Sequence, residues 1–454
     1  MSNSISLNSK DTQKEENNLE KMTSTLVKYI PKTIKHFFPK FKHSLRKIED
    51  YRKYPDYELS AIIMGAISMF LFKKDSRNAY NNERINSVFV SNYEKLFNFS
   101  LPHMDTVEGV FRIISPEELE KFKVKLVEEL IEKRALHKWR FKNKYFIVAI
   151  DATGVTSHNK RHCDKCLTKT YQSGKKGYFH NVLEAKLVLP NGVSISLASE
   201  WIENPGRDYD KQDCELKAFK RLSLKLKKSF PRLPICIVGD GLYPNNTVFN
   251  ICKANKWEYI IVLKDGNLPS VWDEVNSLLK ITKDNKLSTN TIRPSKEISI
   301  TSKWINEIDY KTHRLNWLMT EESVISEKGT KTQRFVFISS FKITEKNANQ
   351  LTEVGRRRWK IENSFNQQKN HGYNLGHLFS EVSLTALKNY YQSMQIADMI
   401  NQLLVLGQNL KSYLRKKITI KHIWGELIAF LKYRSVDEDN LNILLSRRIQ
   451  IRLE

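Results

Sequence analysis

The chain is short of acid. Its 454 residues carry 75 Lys and Arg against 50 Asp and Glu, a net charge of +25. A surplus of that size is hard to explain as simple solubility. It points to a polyanionic partner, of which nucleic acid is the commonest, without separating DNA from RNA. The chain also lacks a long hydrophobic run. The longest, Leu59–Phe72, has about 14 residues, short of the roughly 20 that span a bilayer, and reads as a buried helix. The first twenty residues are polar and charged and hold no apolar stretch of the kind a secretory signal needs. A soluble protein is expected. Cysteine is scarce and odd in number, five in all, and only Cys163 and Cys166 lie close together. That excludes a disulfide framework and makes a reducing cytoplasm the default. A hydrophobic content of 40% excludes wholesale disorder, and the length suits two or three domains.

Four segments follow from the pattern. Residues 1–20 read as a floppy tail. Residues 21–140 read as helical and as the expected DNA-binding domain. Within them, basic residues interleave with aromatics from Lys28 to Tyr57, among them Phe37, Phe38, Phe41, Tyr51 and Arg52. Such a mixture either grips phosphates and stacks on bases or is an amphipathic helix pair with a solvated basic face. Ser115-Pro116-Glu117-Glu118 is a helix start, with a capping serine, a first-turn proline and an acid where a capping box wants one. Residues 141–384 change character. Tyr145–Ile150, Ile235–Gly239 and Tyr259–Leu263 read as buried strands. Val182–Leu189 and Val193–Ser199 form a hairpin around Pro190-Asn191-Gly192, and Asp213–Lys228 is a lysine-rich helix. This order is mixed α/β. A β-rich stretch at about 268–344 precedes a helix from Asn347 to about Lys369. Residues 385–454 are again helical, with a basic stretch at Lys411–Lys421.

Two aspartates sit at matching places. Asp151 follows Phe146-Ile147-Val148-Ala149-Ile150, and Asp240 follows Ile235-Cys236-Ile237-Val238-Gly239. An acid at the end of a buried strand is poorly solvated and calls for a positive partner, and strand ends are where α/β sheets place ligands. Loop capping remains the competing reading for either one alone. The third acid is Glu362, within Gly355-Arg356-Arg357-Arg358-Trp359-Lys360-Ile361-Glu362. At about 100° per helical residue, Arg358, Glu362 and Lys369 share a stripe bordering the apolar stripe of Val354, Ile361 and Phe365. Glu362 therefore points to the edge of the core, where the two aspartates could face it.

Arg358, Glu362 and Lys369, spaced as they are, resemble the Tyr-Arg-Glu-Lys signature of bacterial insertion-sequence transposases with a DDE domain. The segments around Asp151 and Gly239-Asp240-Gly241-Leu242-Tyr243 resemble that family's two aspartate motifs. The likeness covers roughly residues 145–370, and the family's tyrosine falls on Gly355. It implies an RNase H-like fold with a β insertion between Asp240 and Glu362, flanked by helical regions. It also implies catalytic carboxylates at Asp151, Asp240 and Glu362, DNA contacts from Arg357, Arg358, Trp359 and Lys369, and a bacterial, nucleoid-associated location. DNA ends and target DNA are the implied partners, with a homodimer on the paired ends.

Three carboxylates without soft ligands suit two Mg²⁺ or Mn²⁺ ions, with Asp151 shared and Asp240 and Glu362 each holding one. The function implied is cut-and-paste transposition. A related nuclease and a domesticated, non-catalytic DNA-binding protein remain alternatives. Some relatives cut through a DNA hairpin and stack a flipped base on an aromatic of the insertion. Trp304 and Trp317 are the candidates here, with burial as the competing reading.

One motif falls outside this picture. His162-Cys163-Asp164-Lys165-Cys166, with His158 and His180 nearby, has the makings of a tetrahedral zinc site at His162, Cys163 and Cys166. A free thiol pair in a basic loop is the other reading.

Overall fold

A computed structural model describes residues 9–282, 284–293, 296–327, 329–407, 419–448 and 451–453. The chain divides into two compact units, Met1–Leu136 with Asn366–Glu454, and His137–Phe365.

The helical unit begins with α1 (Ser9–Phe37), α2 (Phe41–Arg46), α3 (Leu59–Leu71), α4 (Arg77–Arg84), α5 (Ser87–Phe97), α6 (Met104–Phe111) and α7 (Pro116–Glu132). Helix α1 starts at Ser9, inside the segment read from sequence as a tail. All of α3 is buried, as its unbroken apolar sequence requires, and no helix among the described residues is long and apolar enough to cross a membrane. In the basic and aromatic stretch, Phe37, Phe38 and Phe41 are buried. Lys32 is buried with them and donates to the carbonyls of Leu444 and Arg447. These rings are core, whereas Tyr51 and Tyr54 are exposed. Ser115 does precede α7, but its hydroxyl donates to Glu117 instead of capping the helix.

The second unit is built on one sheet. Its elements are β1 (Phe146–His158), β2 (Leu167–Thr170), β3 (Lys176–Val188), β4 (Ser194–Ile202), α8 (Glu215–Ser229), β5 (Ile235–Gly239), α9 (Asn246–Asn255) and β6 (Glu258–Val262). There follow α10 (Pro269–Ile281), β7 (Lys286–Arg293), β8 (Lys296–Tyr310), β9 (His313–Ser326), β10 (Gly329–Ser339), α11 (Ala348–Arg356) and α12 (Trp359–Asn370). The strand order is β2-β3-β1-β5-β6-β10-β9-β8-β7, with β4 on β3. Strands β4, β3 and β1 run antiparallel, and β1, β5 and β6 run parallel. This order is consistent with an RNase H-like fold. Gly192, at φ +96°, makes the turn between β3 and β4, as the Asn-Gly pair requires. The β-rich stretch forms no separate sheet, because β10 pairs antiparallel with β6 and β9, β8 and β7 follow outward.

One face of this sheet is covered by α11 and α12. Ile147 and Ala149 of β1, Cys236 and Val238 of β5 and Phe337 of β10 pack with Leu351, Val354, Ile361 and Phe365. The expected single helix from Asn347 to Lys369 is in fact two. At the junction Arg357 and Arg358 donate to carbonyls three residues back, Val354 and Gly355, and Lys360 and Ile361 do likewise to Arg357 and Arg358. Bonds of this type tighten the turn and break the α-helical register.

The chain returns to the helical unit with α13 (Leu384–Leu406), α14 (Ile420–Tyr433) and α15 (Glu438–Ser446). Two buried asparagines of α13 tie it to neighbouring backbone. Asn389 donates to the carbonyls of Phe111 and Ile114, and Asn401 to that of Leu71. Most of the basic stretch at Lys411–Lys421 lies outside the described residues.

Candidate active site

Asp151 is not the last residue of its strand, since β1 runs on to His158 against β3. It does stand just past the end of the parallel pairing with β5, whose last pair is Ala149 with Val238. Two further steps of that register set Asp151 beside Asp240. Side chains alternate across a strand, so Asp151 shares a face with Ile147 and Ala149, and Asp240 continues the face of Cys236 and Val238. Those four apolar residues lie under α11 and α12. Glu362 neighbours the buried Ile361 on α12 and is itself exposed. The three acids thus gather where the covered face of the sheet ends.

Electrostatics reports the same proximity. Burial pushes the Asp151 carboxyl up to about 7, the charge of Glu362 adds to the rise, and the amide of Ala152 and the guanidinium of Arg358 oppose it. Arg358 is buried and donates from Nη1 to Glu362 Oε1 one turn on. Asp240 accepts from the amide of Leu242 at 2.9 Å, and Lys264 Nζ lies 3.5 Å from its Oδ2. Gly241 leaves the room Lys264 needs, because a Cβ there would sit 2.6 Å from that side chain. Hard oxygen donors only, with one carboxyl driven towards neutrality by burial and a second acid, are the donor chemistry that a divalent cation takes.

Of the residues expected to touch DNA, Arg357, Arg358 and Trp359 lie together at the junction of α11 and α12. Arg357 pairs with Glu353 at 3.2 Å, while its Nε and Nη1 are buried without a hydrogen-bond partner. Arg358 lies 5.1 Å over the Trp359 ring. Lys369 is exposed two turns along α12 and, within the helical unit, lines a cleft with Lys73, Lys74, His371 and Lys421. The two insertion tryptophans are not available to a base. Trp304 is 5% exposed within the sheet core and Trp317 is 1% exposed.

Sequence reading overlooked two groups. Glu215 opens α8, and burial followed by the charge of Asp240 raises its pKa, while Tyr243 donates to it at 3.4 Å. Lys264 follows the third parallel strand, β6, so the strand-end rule that found both aspartates would have found it. The histidine beside the cysteine pair is not the expected His162. His180, from β3, joins Cys163 and Cys166, while His162 is exposed and stacks on His158 at 4.4 Å between ring centroids.

A mixed sheet of this order, with carboxylates at the ends of its parallel strands, is the framework of a class of metal-dependent enzymes that cleave DNA. A family model described as Transposase DDE domain matches residues 142–383, more than half of the chain, and the chain belongs to that family. It is therefore a DDE transposase. No curated protein matches it.

Proposed function

We propose that the protein excises an insertion sequence and joins it to target DNA by a cut-and-paste route, with Asp151, Asp240 and Glu362 holding two Mg²⁺ or Mn²⁺ ions. The reading rests above all on the meeting of Asp151 and Asp240 at the end of the parallel pairing, with Glu362 close enough to raise the Asp151 pKa. When bound, the ions supply an activated nucleophile and stabilise the leaving oxygen of a phosphodiester.

The chain's own groups do the rest. Arg358 keeps Glu362 in place on the rim of the core. Arg357, paired with Glu353, adds a positive charge at the same helix junction. Lys369 and its basic neighbours in the helical unit bind backbone further along the DNA. Transposition pairs two element ends, so the working species is a homodimer on DNA at a bacterial nucleoid.

The test uses labelled terminal DNA with Mg²⁺. Glu362→Gln should bind this DNA as the wild type does and neither cut nor join it. Cutting retained by that variant overturns the assignment. Cleavage by the wild type without any joined product points instead to a nuclease.

A further inference from the structure

The hairpin that leaves the candidate active site carries a second cluster of ligand-type side chains. The sulfurs of Cys163 and Cys166 are 3.2 Å apart, and His180 Nε2 lies 3.2 Å from the first and 3.4 Å from the second. A disulfide would need about 2.05 Å between the sulfurs. Around tetrahedral zinc, bonds of about 2.3 Å to sulfur and about 2.0 Å to nitrogen set the ligand atoms somewhat under 4 Å apart. The three atoms thus sit a few tenths of an ångström inside the spacing that zinc would set. Among the described residues, this is the group of His, Cys, Asp and Glu side chains with ligand atoms mutually close enough for one metal ion.

The backbone supports the cluster. The amide of Cys163 donates to Cys166 Sγ at 3.3 Å, which fixes the sulfur in the turn. Asn204 holds the turn from below, donating from Nδ2 to the carbonyl of Cys166 at 2.8 Å and from its amide to that of Lys165 at 3.1 Å. A candidate fourth ligand lies on the same face of the β1–β3 pair as His180. Thr156 pairs with His180 and His158 with Tyr178 across β1 and β3, so His158 and His180 share one face. His158 Nε2 is buried with no hydrogen-bond partner. Its ring lies against His162, outside the cluster, and would have to rotate off that stack to reach a metal held there.

We propose that Cys163, Cys166 and His180 bind a structural zinc ion, with His158 completing its tetrahedron. Binding displaces two thiol protons to solvent and involves no redox step. The ion pins the segment between β1 and β2, which holds Lys160, Arg161 and Lys165 on the surface, with Arg161 lying 5.4 Å over the Tyr178 ring. Zinc thereby fixes a basic ribbon that continues from the strand carrying Asp151. This site is independent of the carboxylates, and its ligands differ in kind.

The test is metal analysis of the full chain produced with zinc and dialysed free of loose metal. About one zinc per chain is expected, falling below about a tenth in the Cys163→Ser, Cys166→Ser double variant. Cobalt substituted for zinc should show thiolate-to-cobalt charge-transfer absorption, which carboxylate-bound cobalt does not give. Zinc content unchanged in the double variant, or negligible in the wild type, overturns the proposal. Should the double variant fail to fold, modifying the wild-type thiols with a mercurial decides the matter. Zinc released in step with thiol loss supports the site, and zinc retained overturns it. His158→Ala should weaken zinc binding at least tenfold, and unchanged affinity removes His158 from the ligand set.

Discussion

Gly355 lies against Phe337 so closely that a Cβ on it would meet the ring at 2.6 Å. The resembled signature has a tyrosine at this position, and here the space is taken by a side chain from β10. Gly355→Ala should destabilise the sheet unit by about 1–3 kcal/mol, the usual cost of overpacking a core. Adding Phe337→Leu should recover part of it. Denaturant midpoints of the two variants check this, and a single variant as stable as the wild type shows that the ring moves freely.

Asp151 predicts a pH-dependent weakness in the metal-free protein. Its pKa is raised to about 7 by burial and Glu362, against about 3.9 when unfolded. Between those values the folded state holds a proton that the unfolded state has lost. Stability is therefore complete below the lower value and declines as pH rises through the upper one. In EDTA, Asp151→Asn should melt higher than the wild type at pH 8, with the gap closing towards pH 4. Mg²⁺ should raise the wild-type melting point at pH 8 and leave the variant's unchanged. Equal wild-type and variant melting curves across the range contradict the burial argument.

In the proposed function, Arg358 acts through Glu362, to which it is bonded. Removing the guanidinium frees that carboxylate and should weaken divalent-metal binding or cleavage by about 10–100-fold, as is usual when a ligand loses its orienting partner. The Mg²⁺ concentration for half-maximal cleavage should rise in Arg358→Ala, with partial rescue by Lys. A fall in maximal rate with no change in that midpoint places Arg358 on DNA instead.

In the helical unit, Asn92 is buried and closes three hydrogen bonds, donating to the carbonyls of Leu431 and Arg434 and accepting from the amide of Val436. Asn92→Ala leaves those backbone groups unsatisfied and should cost about 2–4 kcal/mol. Chemical denaturation followed by helical circular dichroism reads the loss. A cost below about 1 kcal/mol means that water replaces the amide.

The strands Ile235–Gly239 and Glu258–Val262 and the turn at Gly192 were legible because local signals suffice, a short apolar run in one case and an Asn-Gly pair in the other. The true length of β1 was not. Beyond Ile150 its residues are held by pairing with β3, and a partner strand leaves no mark on the local sequence. The helix break at Arg357 was hidden for a similar reason, since three arginines are good helix formers and the tightened turn depends on packing of the flanking segments. His180 was noted near the cysteine pair but His162 was preferred, because strand register, not sequence spacing, brings His180 to Cys163. The place of Glu362 beside the core face was legible because Ile361 and Phe365, one turn apart, lie within one short helix that the break upstream leaves intact.

The addition of β10 to β6 has a consequence for association. Without it, β6 would be an open edge next to the parallel strands, a template on which another chain could pair. With it, the open edge moves out to β7, four strands and about 19 Å away at the usual spacing. There Lys286–Arg293 presents mainly polar and charged side chains. A disturbance at that edge is separated from the strands that carry Asp151 and Asp240 by the whole width of β10, β9 and β8.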